Sequence, residues 1–320
     1  MLRGSLAILA DLRAHKPDVV VGNGVKAQAA LSLPARLLRR SSVWVKHDHS
    51  FDTQVARPLG RLSTLVVATA TEVGLAVSRE DVVVIEPERP PMPQARDDAL
   101  AKLAEYGYVP DGRPAVAVVG RLVPYKGVDV AIRALAYPES KPWRLVVIGG
   151  DDDWAPGETE RLRTLAMDLG VADRVHFCGP VPGAGLLLAG FEALAVLTRP
   201  GQAGAPQREG YGITGTEAML AGLPVITAGE GPVARRLRTP EGDAGTVVRP
   251  GDPRDTARAL GHLADPTRRA ELGQRGRTAA LPLPDSSEVA ARVLAVLQHL
   301  ANSPSPGARV RSTGPPLRRR

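Results

Sequence analysis

Short β-branched runs alternate with stretches of helical periodicity along this whole chain, and Gly or Pro punctuates the joins. That alternation restricts the fold to α/β architecture with parallel sheets. Leu6 to Ala14 reads as a helix, and Pro17 ends it. A strand over 18–21 follows, closed by Gly22-Asn23-Gly24. Residues 26–39 read as a helix that Pro34 must kink or interrupt. Val43 to Lys46 is a strand running into His47-Asp48-His49, and 65–70 and 82–85 are two more strands. The Pro-rich stretch Glu86 to Pro93 reads as a linker.

A more regular segment follows. Strands are expected at 115–119, 144–148, 174–178, 193–198, 224–227 and 245–248, and helices at 128–136, 158–169, 185–192 and 213–221. Leu162, Leu165, Ala166 and Leu169 form one helical face. Asp252-Pro253 opens a helix to Leu263 as N-cap and first-turn proline. Asp285 and Glu288 have capping-box spacing before a last helix. These elements divide the chain into a first domain over 1–105, a second over 106–285, a helix over 286–302 that packs back on the first domain, and a tail over 303–320. A βαβ unit takes ~30 residues, so the first domain is short by roughly two strands and their helices.

Charge and composition exclude several functions. The net charge is +7, but Ser303 to Arg320 carries five Arg and no acid, which leaves +2 for the rest. The excess sits in a Pro/Gly/Ser/Arg tail expected to be disordered. Aromatics make up 3%, too few for base-stacking platforms, so no specific nucleic-acid partner is expected. A weak peripheral contact of the tail with an anionic membrane is the milder form of that charge. The single cysteine, Cys178, excludes intramolecular disulfides and any Cys-rich zinc site. No apolar run approaches the ~20 residues of a membrane span, and no secretory leader is recognised, so a cytoplasmic protein is expected. Of 41 basic residues only six are Lys, at 16, 26, 46, 102, 126 and 141, so a lysine is an informative letter here.

Three loops hold the unusual polar residues, each after a strand, where open α/β sheets bind ligands. Gly120-Arg121-Leu-Val-Pro-Tyr-Lys126-Gly127 leaves a buried strand and opens a helix. An arginine that forks across oxygens, a lysine as a point charge and a helix start suit a diphosphate, against the alternative of two solvated charges. Glu209-Gly210-Tyr211-Gly212 precedes a helix that contains Glu217. A carboxylate there accepts from sugar or ribose hydroxyls, although two isolated acids eight apart are more often surface charges. His47-Asp48-His49 offers a base, a ligand or a hydrogen-bond donor, but no third and fourth metal ligand cluster with it. Neither a G-x-S-x-G elbow nor a G-x-x-x-x-G-K-[ST] loop occurs, which excludes a serine hydrolase of that type and a P-loop NTPase.

In combination, Gly120-Arg-Leu-Val-Pro-Tyr-Lys-Gly-Val-Asp, Leu145-Val-Val-Ile-Gly-Gly, Asp173-Arg-Val-His-Phe-Cys-Gly and Glu209-Gly-Tyr-Gly with Glu217-Ala-Met-Leu-Ala-Gly-Leu-Pro-Val-Ile resemble the retaining glycosyltransferases of family GT4. The resemblance is strong over 113–264 and weaker over 1–85, where Pro17-Asp-Val-Val-Val and Val45-Lys-His-Asp carry it. It implies a GT-B fold, with two Rossmann-like domains facing across a cleft and the N-terminal one incomplete. It implies a nucleotide-diphosphate sugar as donor, no cofactor and no metal, and an acceptor that is a glycan, a lipid or a small molecule. Arg121 and Lys126 would neutralise the diphosphate and the leaving group. Glu209 would sit beside the transferred sugar, and the amides of Gly210 and Tyr211 would approach sugar and phosphate. Gly120 and Gly212 complete the donor loops, Glu217 would hold the ribose, and His47 would contact the donor sugar from the other domain. Family members usually begin with a strand and a Gly-rich loop that help build the acceptor site. By that comparison this chain starts near the fourth strand, so the expectation is an N-terminally truncated transferase in which donor binding survives better than transfer. The rival readings are a nucleotide-sugar epimerase of the same fold and a non-catalytic nucleotide-sugar-binding remnant.

Overall fold

The alternation folds into two compact units, each built on a parallel sheet. The computed structural model describes residues 2–199 and 209–303. In chain order the first part contains α1 (Leu2–His15), β1 (Val19–Asn23), α2 (Val25–Leu37), β2 (Ser41–Lys46), α3 (Arg57–Leu62), β3 (Leu65–Ala68), α4 (Thr71–Leu75) and β4 (Val83–Val84). The four strands pair in parallel in the order β1-β2-β3-β4. Trp44, Val66 and Ala68 line one face with Val73 and Val77, and Val43, Leu65 and Val67 line the other. Both faces are covered, which is why these strands read as continuous apolar runs.

The second part contains α5 (Arg96–Ala104), β5 (Ala115–Val119), α6 (Val128–Leu135), β6 (Arg144–Ile148), α7 (Glu158–Asp168), β7 (Val175–Gly179), β8 (Ala193–Val196), α8 (Ile213–Leu220), β9 (Val225–Ala228) and α9 (Pro232–Leu237). A two-residue hairpin, β10 (Arg238–Thr239) with β11 (Gly242–Asp243), leads into β12 (Gly245–Val248), α10 (Pro253–His262) and α11 (Pro266–Ala280). Six strands form one parallel sheet in the order β12-β9-β8-β5-β6-β7. The order reverses beside β5, so β5 and β8 leave the sheet on either side of a topological switch point, where such sheets bind ligands. Leu162 and Ala166 of α7 are buried in its core with Leu165 and Leu169 packed against them. Asp252 caps α10 by accepting from the backbone N–H groups of Arg254 and Asp255.

The last helix, α12 (Ser286–Ala301), carries the capping box of Asp285 and Glu288. It belongs to the first unit, where Val289, Val296, Leu297 and Leu300 pack with Val43, Leu65 and Ile85. The first unit comprises 1–88, 208–211 and 284–320, and the second 89–207 and 212–283. The expected boundary at 105/106 therefore lies too late. Helix α5 belongs to the second unit because Ala99 and Leu103 are buried with Leu187, Leu188 and Phe191. Of the expected tail over 303–320, only Ser303 lies within the described residues.

Three local expectations need correction. Pro34 does not interrupt α2, which continues to Leu37. It sits one turn from the helix end, where its missing N–H removes a single bond and its carbonyl still accepts from Leu38 N–H at 3.1 Å. The stretch 185–192 is a 3₁₀ segment, Ala184–Gly190, and the Glu192 carboxylate beyond it accepts from the Ala115 N–H at 2.7 Å. The strands expected at 65–70 and 82–85 shorten to β3 and β4. No helix among the described residues is long and apolar enough to cross a membrane.

Candidate functional site

The carboxyl edge of the second sheet is built by close backbone approach. Gly120 N–H donates to the Ile148 carbonyl at 2.9 Å, and Leu122 N–H to the Gly150 carbonyl at 2.8 Å, so the loops after β5 and β6 stay paired beyond the strands. Gly149, with φ +153°, makes this possible: a Cβ there would lie 1.8 Å from the Gly120 carbonyl oxygen. The loop then makes a single 3₁₀ turn, Pro124–Lys126, and Gly127 in the left-handed region opens α6. A Cβ on Gly127 would lie 2.3 Å from the Leu197 carbonyl oxygen, so the loop is also pressed onto the end of β8.

Arg121 and Lys126 both reach Tyr125. Arg121 Nη2 donates to the Tyr125 hydroxyl at 3.0 Å, and Lys126 Nζ lies 5.9 Å from its ring centroid. Two of the sequence-predicted residues are thus gathered by a tyrosine that the sequence reading passed over. Arg121 is held on its other side by Asp152, with Nη1 to Oδ2 at 2.6 Å, while its side chain stays 60% exposed. Asp152 Oδ1 accepts from Trp154 N–H at 3.0 Å, and these bonds hold its carboxyl below the usual carboxylate value. Neighbouring Asp151 accepts from the N–H groups of Gly157 and Thr159, which shapes the turn before α7. The only hint of this loop in the sequence was the run Asp151-Asp152-Asp153 straight after a strand.

Glu217 lies in the second turn of α8, whose N-cap Gly212 has φ +75°. Arg236 Nη2 donates to the Gly212 carbonyl at 3.1 Å and steadies that turn. The Glu217 carboxylate faces Gly185 so closely that a Cβ there would lie 2.1 Å from its oxygen. Burial pushes the Glu217 carboxyl above its usual value. A half-buried carboxylate set against a bare glycine suits the role of acceptor for hydroxyls, which restore the hydrogen bonds it lost from water.

The remaining expected residues belong to the first unit. His47 is exposed at the end of β2, and its ring Nε2 meets the Asn23 side-chain oxygen at the end of β1. A Cβ on Gly210 would lie 2.7 Å from the His47 carbonyl oxygen, so the structure brings these two together. The Tyr211 side chain is 8% exposed and packs in the core with Trp44 and Val66, so only its backbone can serve a ligand. Glu209 is half-buried and lies in the first unit, while Gly212 onward lies in the second. His49 behaves unlike His47: it is buried, and its Nδ1 lies 2.9 Å from Asp52 Oδ2. Lys46 Nζ lies 2.6 Å from Asp52 Oδ1 and also donates to the Asp48 carbonyl. Burial alone would raise the Asp52 carboxyl, but hydrogen bonds and charge from His49 and Lys46 outweigh it and hold the group below its usual value. This buried cluster went unread in the sequence because its members alternate with exposed residues over only seven positions.

Residues 107–279 match the family model described as "Glycosyl transferases group 1", which is 173 of 320 residues. The chain is 39% identical over 163 residues to a D-inositol 3-phosphate glycosyltransferase of Acidothermus cellulolyticus, covering 49% of this chain and 35% of that protein. It is 37% identical over 192 residues to a GDP-mannose-dependent alpha-(1-6)-phosphatidylinositol monomannoside mannosyltransferase of Mycolicibacterium smegmatis, covering 58% of this chain and 47% of that protein. The chain thus spans about half the length, or less, of these curated relatives. Among solved structures, Anabaena Alr3699/HepE, crystallised with UDP and glucose, superposes with a TM-score of 0.77 at 22% identity, over 92% of this chain and 81% of that one. Sucrose-phosphate synthase from Thermosynechococcus elongatus superposes with a TM-score of 0.73 at 22% identity, over 92% of this chain and 77% of that one. These likenesses show the GT-B fold that the sequence motifs imply. With more than half of its residues inside the family model, the chain belongs to the group 1 glycosyltransferases, the GT4 type.

Proposed function

We propose that this protein transfers a sugar from a nucleotide-diphosphate sugar to a hydroxyl acceptor with retention of configuration, without a divalent cation, in the cytoplasm. One observation carries the reading: Arg121 and Lys126 converge on Tyr125 in the loop that leaves β5 beside the switch point of the second sheet. Two cations on a rigid, glycine-bounded turn stabilise charge that develops on a leaving diphosphate. Glu217 then accepts from the ribose hydroxyls. Glu209 and the amides of Gly210 and Tyr211 serve the transferred sugar, and His47 contacts that sugar. The leaving phosphate acts as the base that takes the acceptor proton. The activities named for the relatives support the donor class, and inositol phosphates and phosphatidylinositol glycolipids are the first acceptors to screen.

The direct test is calorimetric titration with UDP, GDP and ADP in the presence of EDTA. Binding of at least one below millimolar concentration is expected. Arg121→Ala and Lys126→Ala should each weaken it by about 1–3 kcal/mol, the scale of a charge-assisted hydrogen bond. Absence of binding by all three would remove the donor site, and parent-like binding by both variants would reduce these residues to solvated surface charges.

A further inference from the structure

We propose that Asp152 is a positioning residue of the donor site, which holds the Arg121 guanidinium in place for the donor's diphosphate. The inference rests on the reading of the Arg121 loop as the diphosphate site.

An arginine that is 60% exposed samples many rotamers unless something holds its head group. Asp152 supplies that hold from a firm base. Its own side chain is 12% exposed, and Oδ1 is occupied by the Trp154 N–H. The backbone beneath it is tied to the Arg121 loop by the pairing of Leu122 with Gly150 and by the Gly149–Gly120 approach. Oδ2 takes Nη1 of Arg121, and the Tyr125 hydroxyl takes Nη2. A guanidinium has five N–H donors in a fixed plane, so Asp152 and Tyr125 set the plane in which Arg121 meets phosphate oxygens.

Two effects of the carboxylate oppose each other. Its charge repels an incoming diphosphate, while its grip removes the ordering cost of the arginine. Exposure decides between them. The Arg121 head group lies largely in water, where charge repulsion is screened. The ordering cost, by contrast, would fall wholly on binding.

The test measures pyrophosphate, and the tightest-binding of UDP, GDP and ADP, against the full-length parent, Asp152→Ala, Asp152→Asn, Arg121→Ala and the double variant Arg121→Ala/Asp152→Ala. Asp152→Ala should weaken both ligands about 5- to 30-fold. Asp152→Asn should recover part of the loss, because its amide oxygen still accepts from Arg121. The double variant should bind no more weakly than Arg121→Ala, since Asp152 acts only through that arginine. Unchanged or tighter binding by Asp152→Ala would overturn the proposal in favour of repulsion. A loss that persists on the Arg121→Ala background would overturn it in favour of a general structural role. If Asp152→Ala does not fold, Asp152→Glu carries the same cycle, because it keeps the charge but displaces it by one methylene. A parent that binds neither ligand, or an Arg121→Ala that binds as well as the parent, would instead sink the donor-site reading itself.

Discussion

Basic residues stand at the carboxyl ends of both β2 and β5, yet their charges are used in opposite ways. After β2 the charges turn inward. Lys46 is 2% exposed, and together with Asp52 and His49 it ties the loop to itself. After β5 they turn outward, where Arg121 remains 60% exposed although Asp152 and Tyr125 hold it. A buried ion pair is a poor net stabiliser but a costly thing to break, because removing one partner strands the other. An exposed, oriented cation contributes little to folding and keeps its charge for a ligand. The inward loop is therefore expected to govern stability, and the outward loop binding.

The largest effect should come from Lys46→Met, which strands the Asp52 carboxylate in the interior. A loss of about 3–5 kcal/mol in urea unfolding is expected, with a smaller loss when Asp52→Leu is added. A loss under about 1 kcal/mol would erase the contrast between the loops. The pH dependence sharpens it. The folded Asp52 carboxyl titrates below its ordinary value near 3.8, so its contribution is complete above that value and disappears as pH falls through the lower folded value. Parent and Asp52→Asn should thus converge in stability at strongly acid pH and differ by a full, constant amount above about pH 4.

Next comes Glu217→Gln, which should separate folding from binding at one position. Burial raises the Glu217 carboxyl above its ordinary value near 4.5, so the folded state holds the proton more tightly than the unfolded one. Its ionisation therefore costs stability that sets in as pH rises above that value. The Gln variant should match the parent in melting temperature at pH 4 and exceed it at pH 7. It should bind nucleoside diphosphates more weakly while pyrophosphate binding stays unchanged. Lower stability at pH 7 would mean that the carboxylate is held by partners in the fold rather than reserved for a ligand. The smallest effect is expected for Lys102→Ala, which removes the exposed Lys102–Glu105 pair at 2.7 Å at the C-terminal end of α5 and should leave the melting temperature unmoved.

Much of the fold was readable because its signals are local. The strands β5, β6 and β12 and helix α10 begin and end where β-branched runs, Gly stops and the Asp252-Pro253 cap place them. Where the reading slipped, contacts distant in sequence had decided the outcome. Helix α5 joins the second unit because Ala99 and Leu103 meet Leu188 and Phe191, and nothing in residues 96–104 encodes that partner. Pro34 is carried inside α2 because it falls in the last turn of a helix whose Leu31 and Ala35 are buried with Leu12 of α1.

The candidate site divides in the same way. Its chemical letters were legible in the sequence: a rare lysine at 126, an arginine directly after a glycine at 121, and the carboxylates at 209 and 217 around a Gly-rich turn. These letters identify the ligand class, because few residue types bind diphosphates and hydroxyls. Their orientation was not legible. Only the packed structure decided that Arg121 is gripped by an aspartate 31 residues away, that His49 serves the interior while His47 stays exposed, and that Tyr211 belongs to a core. Local propensity and periodicity act within a few residues, and so the order of elements is written in the sequence. Which charge is buried and which is left to solvent depends on what the rest of the chain brings up against it, and that is settled only when the sheets close.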